Sequence, residues 1–190
     1  MIRPLYFHNP NQEGFEAIIK HLHSKNYKFI SIEELYSRLE KNDTKGKLAY
    51  ISFDDGWQGN LKLIPIIEKY NVHITIFIAV NPIMSGNFWW EFVAKKVGYT
   101  QMQNFKNLPH DEFESQLKKI KTEVADLQRS TMTIDELETI TKHPLISIQS
   151  HTINHPILTK LPDDLLDFEL SESQKQLEKI TGKNRMIYSM

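Results

Sequence analysis

The segment Leu48–Phe53 is apolar and β-prone along its whole length and stops abruptly at Asp54-Asp55-Gly56. Such a run predicts a buried strand with a loop beginning at the carboxylates. Strand-like and helix-like segments alternate on either side of it, the pattern of an α/β domain. Residues 2–8 and 27–30 predict short strands, residues 72–80 a longer one rich in β-branched side chains, and residues 145–150 another. Between them, Phe15, Ile18, Ile19 and Leu22 fall at helical spacing within residues 13–25. Ser31 with Glu34 and Thr133 with Glu136 are capping-box patterns, predicting helices that run to about Asn42 and Lys142. Residues 60–70 suit a helix that Pro65 either kinks or opens. Pro162-Asp163-Asp164 starts a last helix ending near Gly182, and residues 186–189 read as the beginning of one more strand.

Residues 81–130 break this rhythm. Asn81-Pro82 and Ser85-Gly86-Asn87 are turn signals, Phe88-Trp89-Trp90 begins a helix-like stretch to about Val97, and residues 111–128 predict a long charged helix. Apolar residues look too sparse there for a separate core. The chain 1–190 is therefore read as a single domain with a helical excursion at 81–130, and 190 residues suffice for one core. A net charge of −1 gives no field that would favour nucleic acid or an anionic membrane. The lack of cysteine excludes disulfides, thiolate metal sites and a Cys nucleophile. Neither a signal segment nor a run of membrane-spanning length is visible, so a cytoplasmic location is expected for the chain as it stands. A cell-envelope location is expected if the N-terminus is incomplete.

Two short motifs carry the chemistry. Ser52-Phe53-Asp54-Asp55-Gly56 ends one predicted strand, and Ser150-His151-Thr152-Ile153-Asn154-His155-Pro156 ends a later one. A carboxylate with two imidazoles is a three-ligand set that leaves a divalent metal an open position, and an adjacent second carboxylate can act as a base on water. Side chains of successive residues at a strand end point different ways, so two adjacent aspartates can do different work. Functional groups of α/β folds collect at such carboxyl ends. His151 and His155 could share a helix face, but Pro156 pushes His155 toward extended geometry and favours a loop. Each motif alone has a plainer reading, Asp-Asp-Gly as a turn and the two histidines as loop residues. Asp163-Asp164 and the pair His21, His23 show how readily such neighbours occur without chemistry.

Together, and in this order, the motifs resemble the first and second motifs of the polysaccharide deacetylases, the NodB-homology or family 4 carbohydrate esterases. Residues 63–80, with Lys69-Tyr70-Asn71-Val72 leading into Thr75-Ile76-Phe77-Ile78, are similar to the same family, as are residues 158–182. Phe88-Trp89-Trp90 resembles members linked to bacterial surface-polysaccharide synthesis. The resemblance implies a distorted (β/α) barrel of NodB type and a divalent metal, zinc before cobalt or nickel. It implies Asp55, His151 and His155 as ligands and Asp54 as general base. The implied reaction is hydrolysis of N-acetyl, or sometimes O-acetyl, groups on a polysaccharide or oligosaccharide. Trp57 is a candidate for stacking on sugar because it lies close to Asp55.

The family continues beyond the point this sequence reaches. Arg185-Met186-Ile187-Tyr188-Ser189-Met190 is similar only to the start of its third motif, and no histidine follows His155 to serve as general acid. The expectation is a domain truncated at its C-terminus, its barrel incomplete. The alternative to an active enzyme is then a metal- or carbohydrate-binding remnant that is inactive or dependent on a partner, through self-association or a second chain.

Overall fold

Five parallel strands form one sheet in the computed structural model, which describes residues 1–182. They are β1 (Ile2–Phe7), β2 (Lys28–Phe29), β3 (Leu48–Phe53), β4 (Ile74–Ile78) and β5 (Ile146–Ser150). Strand β3 is the hub. Leu48 pairs with both Ile2 and Lys28, so β1 and β2 lie on its opposite edges, while Ile51–Phe53 pair with β4 on the β2 side. The order is β1-β3-β4-β5, and among the described residues β1 and β5 are the outer strands. The α/β expectation thus holds, with an open sheet over this range. The strand read at residues 186–189 lies outside the described residues.

Strand periodicity decides what each face contacts. Ala49, Ile51 and Phe53 point with Ile74, Ile76, Ile78, Ile146 and Ile148 into one apolar core. Helix α1 (Gln12–Ser24) adds Phe15, Ile19 and Leu22 to that core, and α3 (Ile64–Lys69) adds Ile66 and Ile67. Helix α8 (Ile134–Ile140) adds Leu137 and Ile140, and α9 (Asp163–Thr181) adds Leu177. Removing a side chain of this size from water contributes about 1.5–3 kcal/mol each. The alternate positions Leu48, Tyr50 and Phe77 face the other way, meeting Ile30 and Ile32, the latter at the start of α2 (Ile32–Glu40).

Caps follow the sequence closely. Ser31 accepts from the Glu34 N–H, but the Glu34 carboxylate turns to Lys28 and Arg38 in place of closing the box. The Thr133/Glu136 box closes in both directions. Pro65 occupies the first turn of α3 behind a short 3₁₀ segment, Gln58–Leu63, where its missing N–H costs nothing.

The region 81–130 holds four helices: α4 (Val80–Ser85), α5 (Trp89–Val97), α6 (Tyr99–Phe105) and α7 (His110–Glu123). A helix replaces the turn expected at Asn81-Pro82, because Pro82 falls in the first turn, where it is tolerated. The charged helix ends at Glu123 rather than Gln128. The chain beyond it is held by tertiary bonds, the Arg129 guanidinium donating to the Ile83 and Met132 carbonyls and Ser130 N–H to Gly86. Trp89, Val93, Met102, Phe105, Phe113, Leu117 and Ile120 form a second apolar cluster between α5, α6 and α7. Counting apolar residues understates it, because three of its seven members are large aromatics. Among the described residues no helix is long and apolar enough to cross a membrane.

Candidate metal centre

The ends of β3, β4 and β5 deliver the site. Asp54 N–H bonds to the Phe7 carbonyl, carrying the sheet one residue past the end of β3. The backbone then turns sharply: Asp55 has φ +78° and Gly56 φ +89°. Gly56 is needed there twice over, since a Cβ would also come within 2.8 Å of the Ile78 side chain. The turn aims Asp55 inward, where it is 1 % exposed, and leaves Asp54 half-buried beside it.

The histidine loop leaves the end of β5. His151 N–H bonds to the Ile78 carbonyl, and Val80 and Asn81 N–H bond to the carbonyls of Thr152 and Ile153. Thr152 and His155 both have positive φ, +69° and +55°. His155 is thus left-handed rather than extended; its N–H is held by the Thr152 hydroxyl at 3.0 Å. The loop geometry expected from Pro156 is observed, but the dihedral is set by this local bond.

Two features of this loop were not legible in the motif. Glu169, buried on α9, accepts from Ile153 N–H at 2.8 Å, Asn154 N–H at 2.9 Å and the Asn154 side-chain amide at 2.6 Å. One carboxylate therefore fixes the bend between the two histidines. Trp89 in α5 donates its indole N–H to the His155 carbonyl at 2.9 Å, tying the helical excursion to the same loop.

The predicted ligand residues converge. One donor atom each from Asp55, His151 and His155 lies within 4.8 Å of the others. His155 Nε2 is 3.1 Å and His151 Nε2 3.5 Å from Asp55 Oδ1. That oxygen is nonetheless buried without a hydrogen-bond partner, so neither ring is aligned to donate to it. An orphaned carboxylate oxygen facing two imidazole nitrogens is the donor set of a borderline divalent cation. Ligands about 2.0–2.1 Å from a tetrahedral cation stand roughly 3.3 Å apart, and the two imidazole nitrogens lie 3.1 and 3.5 Å from Asp55 Oδ1. The residues fit a metal.

Electrostatics agree. Burial lowers the His151 pKa to about 4, with the nearby His155 charge adding to the effect and Asp55 opposing it, so its ring is neutral at neutral pH. Burial alone would raise Asp55, but the approach of His155, the Trp57 N–H and the His151 ring together hold it below the usual carboxylate range. Asp54 moves the other way, raised first by burial and then by the Asp55 charge, against the opposing effect of His8 and His155.

Trp57 lies beside the site in a role the motif did not suggest: its indole N–H donates to Asp55 Oδ2 at 2.9 Å. Its ring packs on Phe88, centroids 4.6 Å apart, and Phe88 stacks on Trp90 at 4.4 Å. Trp57, Trp90, Tyr99, Asp55 and His155 line a cavity of about 290 Å³. His8 lines it as well, one residue past the end of β1, its carbonyl held by the buried Asn60 amide. A search downstream of His155 could not find this histidine, because the sheet brings it in from the opposite end of the sequence.

The chain is similar to known proteins in sequence and in fold. The polysaccharide deacetylase family matches residues 41–190. YxkH of Bacillus subtilis, itself assigned to the polysaccharide deacetylases, is 24 % identical over 182 residues. That alignment covers 95 % of this chain and 49 % of YxkH, so the chain spans about half the length of this curated relative. The Streptococcus pyogenes deacetylase PplD, solved with acetate, superposes with a TM-score of 0.64 at 19 % identity, over 96 % of this chain and 69 % of PplD. IcaB from Ammonifex degensii gives 0.66 at 14 % identity, over 96 % and 70 %. At these identities the structural likeness speaks for the fold.

Proposed function

The chain belongs to the polysaccharide deacetylase family, and from that membership we propose that it is a metal-dependent hydrolase removing acetyl groups from N-acetylated, or O-acetylated, polysaccharide. Asp55, His151 and His155 are its metal ligands, with zinc the preferred ion and cobalt or nickel able to replace it. Asp54 is the general base. The observation that carries this reading is the gathering of three donor atoms within 4.8 Å around an orphaned carboxylate oxygen, with a second carboxylate next in sequence.

When bound, a divalent cation supplies Lewis acidity toward the acetyl carbonyl and toward water beside it. Asp54 removes a proton from the attacking water as its oxygen bonds to the acetyl carbon. The raised proton affinity that burial gives Asp54 makes it a better base than an exposed carboxylate. The carbon–nitrogen bond then breaks, acetate separates, and the leaving nitrogen takes up a proton. We assign that delivery to His8, the imidazole that lines the cavity without belonging to the ligand set. Trp57 orients Asp55 through Oδ2 and leaves Oδ1 for the cation. Its packing on Phe88 also makes it part of the aromatic wall against which a sugar ring can lie.

Metal titration with acetate release from N-acetylated oligosaccharides tests the assignment. Wild-type chain should bind one equivalent of zinc. Asp55→Ala should lose it, whereas Asp54→Asn should keep it and lose about 10²–10⁴-fold in kcat. Wild-type protein that takes up no stoichiometric zinc, cobalt or nickel, or two variants that titrate alike, would overturn the roles.

One observation favours a second reading, in which the same site needs a further polypeptide to cover the sheet. Both outer strands lack a neighbour on one side among the described residues, and Tyr6 on β1 is 72 % exposed. Sedimentation of the isolated chain decides it: an active monomer excludes the requirement.

A further inference from the structure

The excursion brings a stripe of its own to the cavity. Tyr99, Gln103 and Lys106 are spaced i, i+4 and i+7 along α6 and its C-cap, hence on one face. All three line the cavity that holds Asp55 and His155. Two of them lack the usual structural explanation. Tyr99 is a large aromatic left 70 % exposed, outside the apolar cluster that its neighbours Met102 and Phe105 join. Lys106 is half-buried yet makes no ion pair among the described residues, whereas Lys96 on α5 is matched by Glu123 at 3.1 Å. The carboxylate on the cavity wall, Asp55, accepts from Trp57 and faces the two imidazoles, not Lys106. The walls thus present aromatic faces (Trp90 and Tyr99), an amide, and an ammonium with no counter-ion of its own. From Tyr99 to Lys106 the helix rises about 10 Å, room for a disaccharide.

We propose that this stripe is a subsite for an acidic sugar, so that the substrate class is an N-acetylated polysaccharide carrying a carboxylate on the residue next to the acetylated one. The inference rests on the deacetylase reading and narrows it. Trp90 and Tyr99 offer flat faces to the apolar sides of pyranose rings. Gln103 hydrogen-bonds ring hydroxyls, and Lys106 forms a charge-assisted bond with the hexuronic carboxylate. A neutral glycan would leave the ammonium unmatched; an acidic one completes the cavity's charge pattern.

Binding is the test, because it is independent of turnover. The protein's three tryptophans are Trp57, Trp89 and Trp90, all lining the cavity, so intrinsic fluorescence reports occupancy. The probes are a tetrasaccharide of alternating glucuronic acid and N-acetylglucosamine and the same tetrasaccharide with its carboxyls reduced to alcohols. Wild-type full chain should bind the acidic form about five-fold more tightly at low ionic strength. Lys106→Gln should erase the difference and leave the Kd for the reduced form unchanged, and Lys106→Arg should keep the preference. Equal binding of the two probes by wild type, binding of neither, or a preference that survives Lys106→Gln would overturn the proposal. Failure to release acetate from either probe, with the binding preference intact, would instead count against the deacetylase reading.

Discussion

Asp55, Thr152 and His155 each hold a φ between +55° and +78°, a region that side-chain-bearing residues seldom occupy. Each such backbone costs on the order of 1–3 kcal/mol, and Thr152, branched at Cβ, is the least suited to it. Among the described residues three of the non-glycine positive-φ positions, with Gly56 besides, therefore fall within the two motifs, and what they achieve is convergence: without the turn at Asp55 its carboxylate would not meet the imidazoles. The three residues that converge were legible as a set because the residues needed to form this geometry are contiguous in two short stretches. His8 was not, because nothing in its own neighbourhood marks it, and only the pairing of β1 with β3 brings it to Asp54. Replacing His8 by Gln should lower kcat by about 10²–10³-fold and leave zinc binding untouched. Unchanged turnover, or loss of the metal, would show that the histidine has another task.

Helix α9 illustrates what whole elements contribute. Its start and its end at Gly182 could be read from Pro162, the paired aspartates and the glycine, and the helix spans Asp163–Thr181 as expected. Its function could not be read, since Glu169 is one acidic residue among several on that helix and only the fold brings it beneath the histidine loop. Glu169→Gln keeps the shape but removes the charge and one acceptor from three donors. It should cost about 1–3 kcal/mol of stability and weaken zinc binding about 10-fold. Thermal unfolding with and without zinc measures both, and a variant with unaltered Tm and affinity would reduce Glu169 to a spectator. Strands were the easiest elements to predict, with β3 matching to the residue, because burial on both faces demands an unbroken apolar run. Helix α6 was missed, its sequence being mostly polar with only Met102 and Phe105 turned into the second cluster. The overlong α7 has a matching cause: the residues after Glu123 could continue a helix, but the bonds from Arg129 and Ser130 to the Gly86 turn require a different path.

On the scale of the molecule, the sheet's helical cover is stitched by a few polar pairs. Glu16 on α1 accepts from Lys69 at 2.8 Å and from the Tyr70 hydroxyl at 3.0 Å, joining α1 to the end of α3. Hydrogen bonds from Lys69 and then Tyr70 hold its pKa at about 2, against an ordinary 4.5. Because the folded value is the lower one, the stabilisation is complete above the unfolded pKa and disappears as pH falls toward 2. With the side chains partly exposed, salt weakens the effect. Glu16→Gln should be less stable than wild type at neutral pH, and the two denaturation curves should converge between pH 4.5 and 2; parallel curves through that interval would exclude the linkage. We read residues 1–190 as one unit with the excursion at 81–130 built onto it, and the Trp89 indole on the His155 carbonyl is one joint between the two. That joint has an evolutionary consequence. Helices that could otherwise drift freely to accommodate a new glycan are moored to the main chain of His155, so any change of taste on the outside must be negotiated with the chemistry proposed inside.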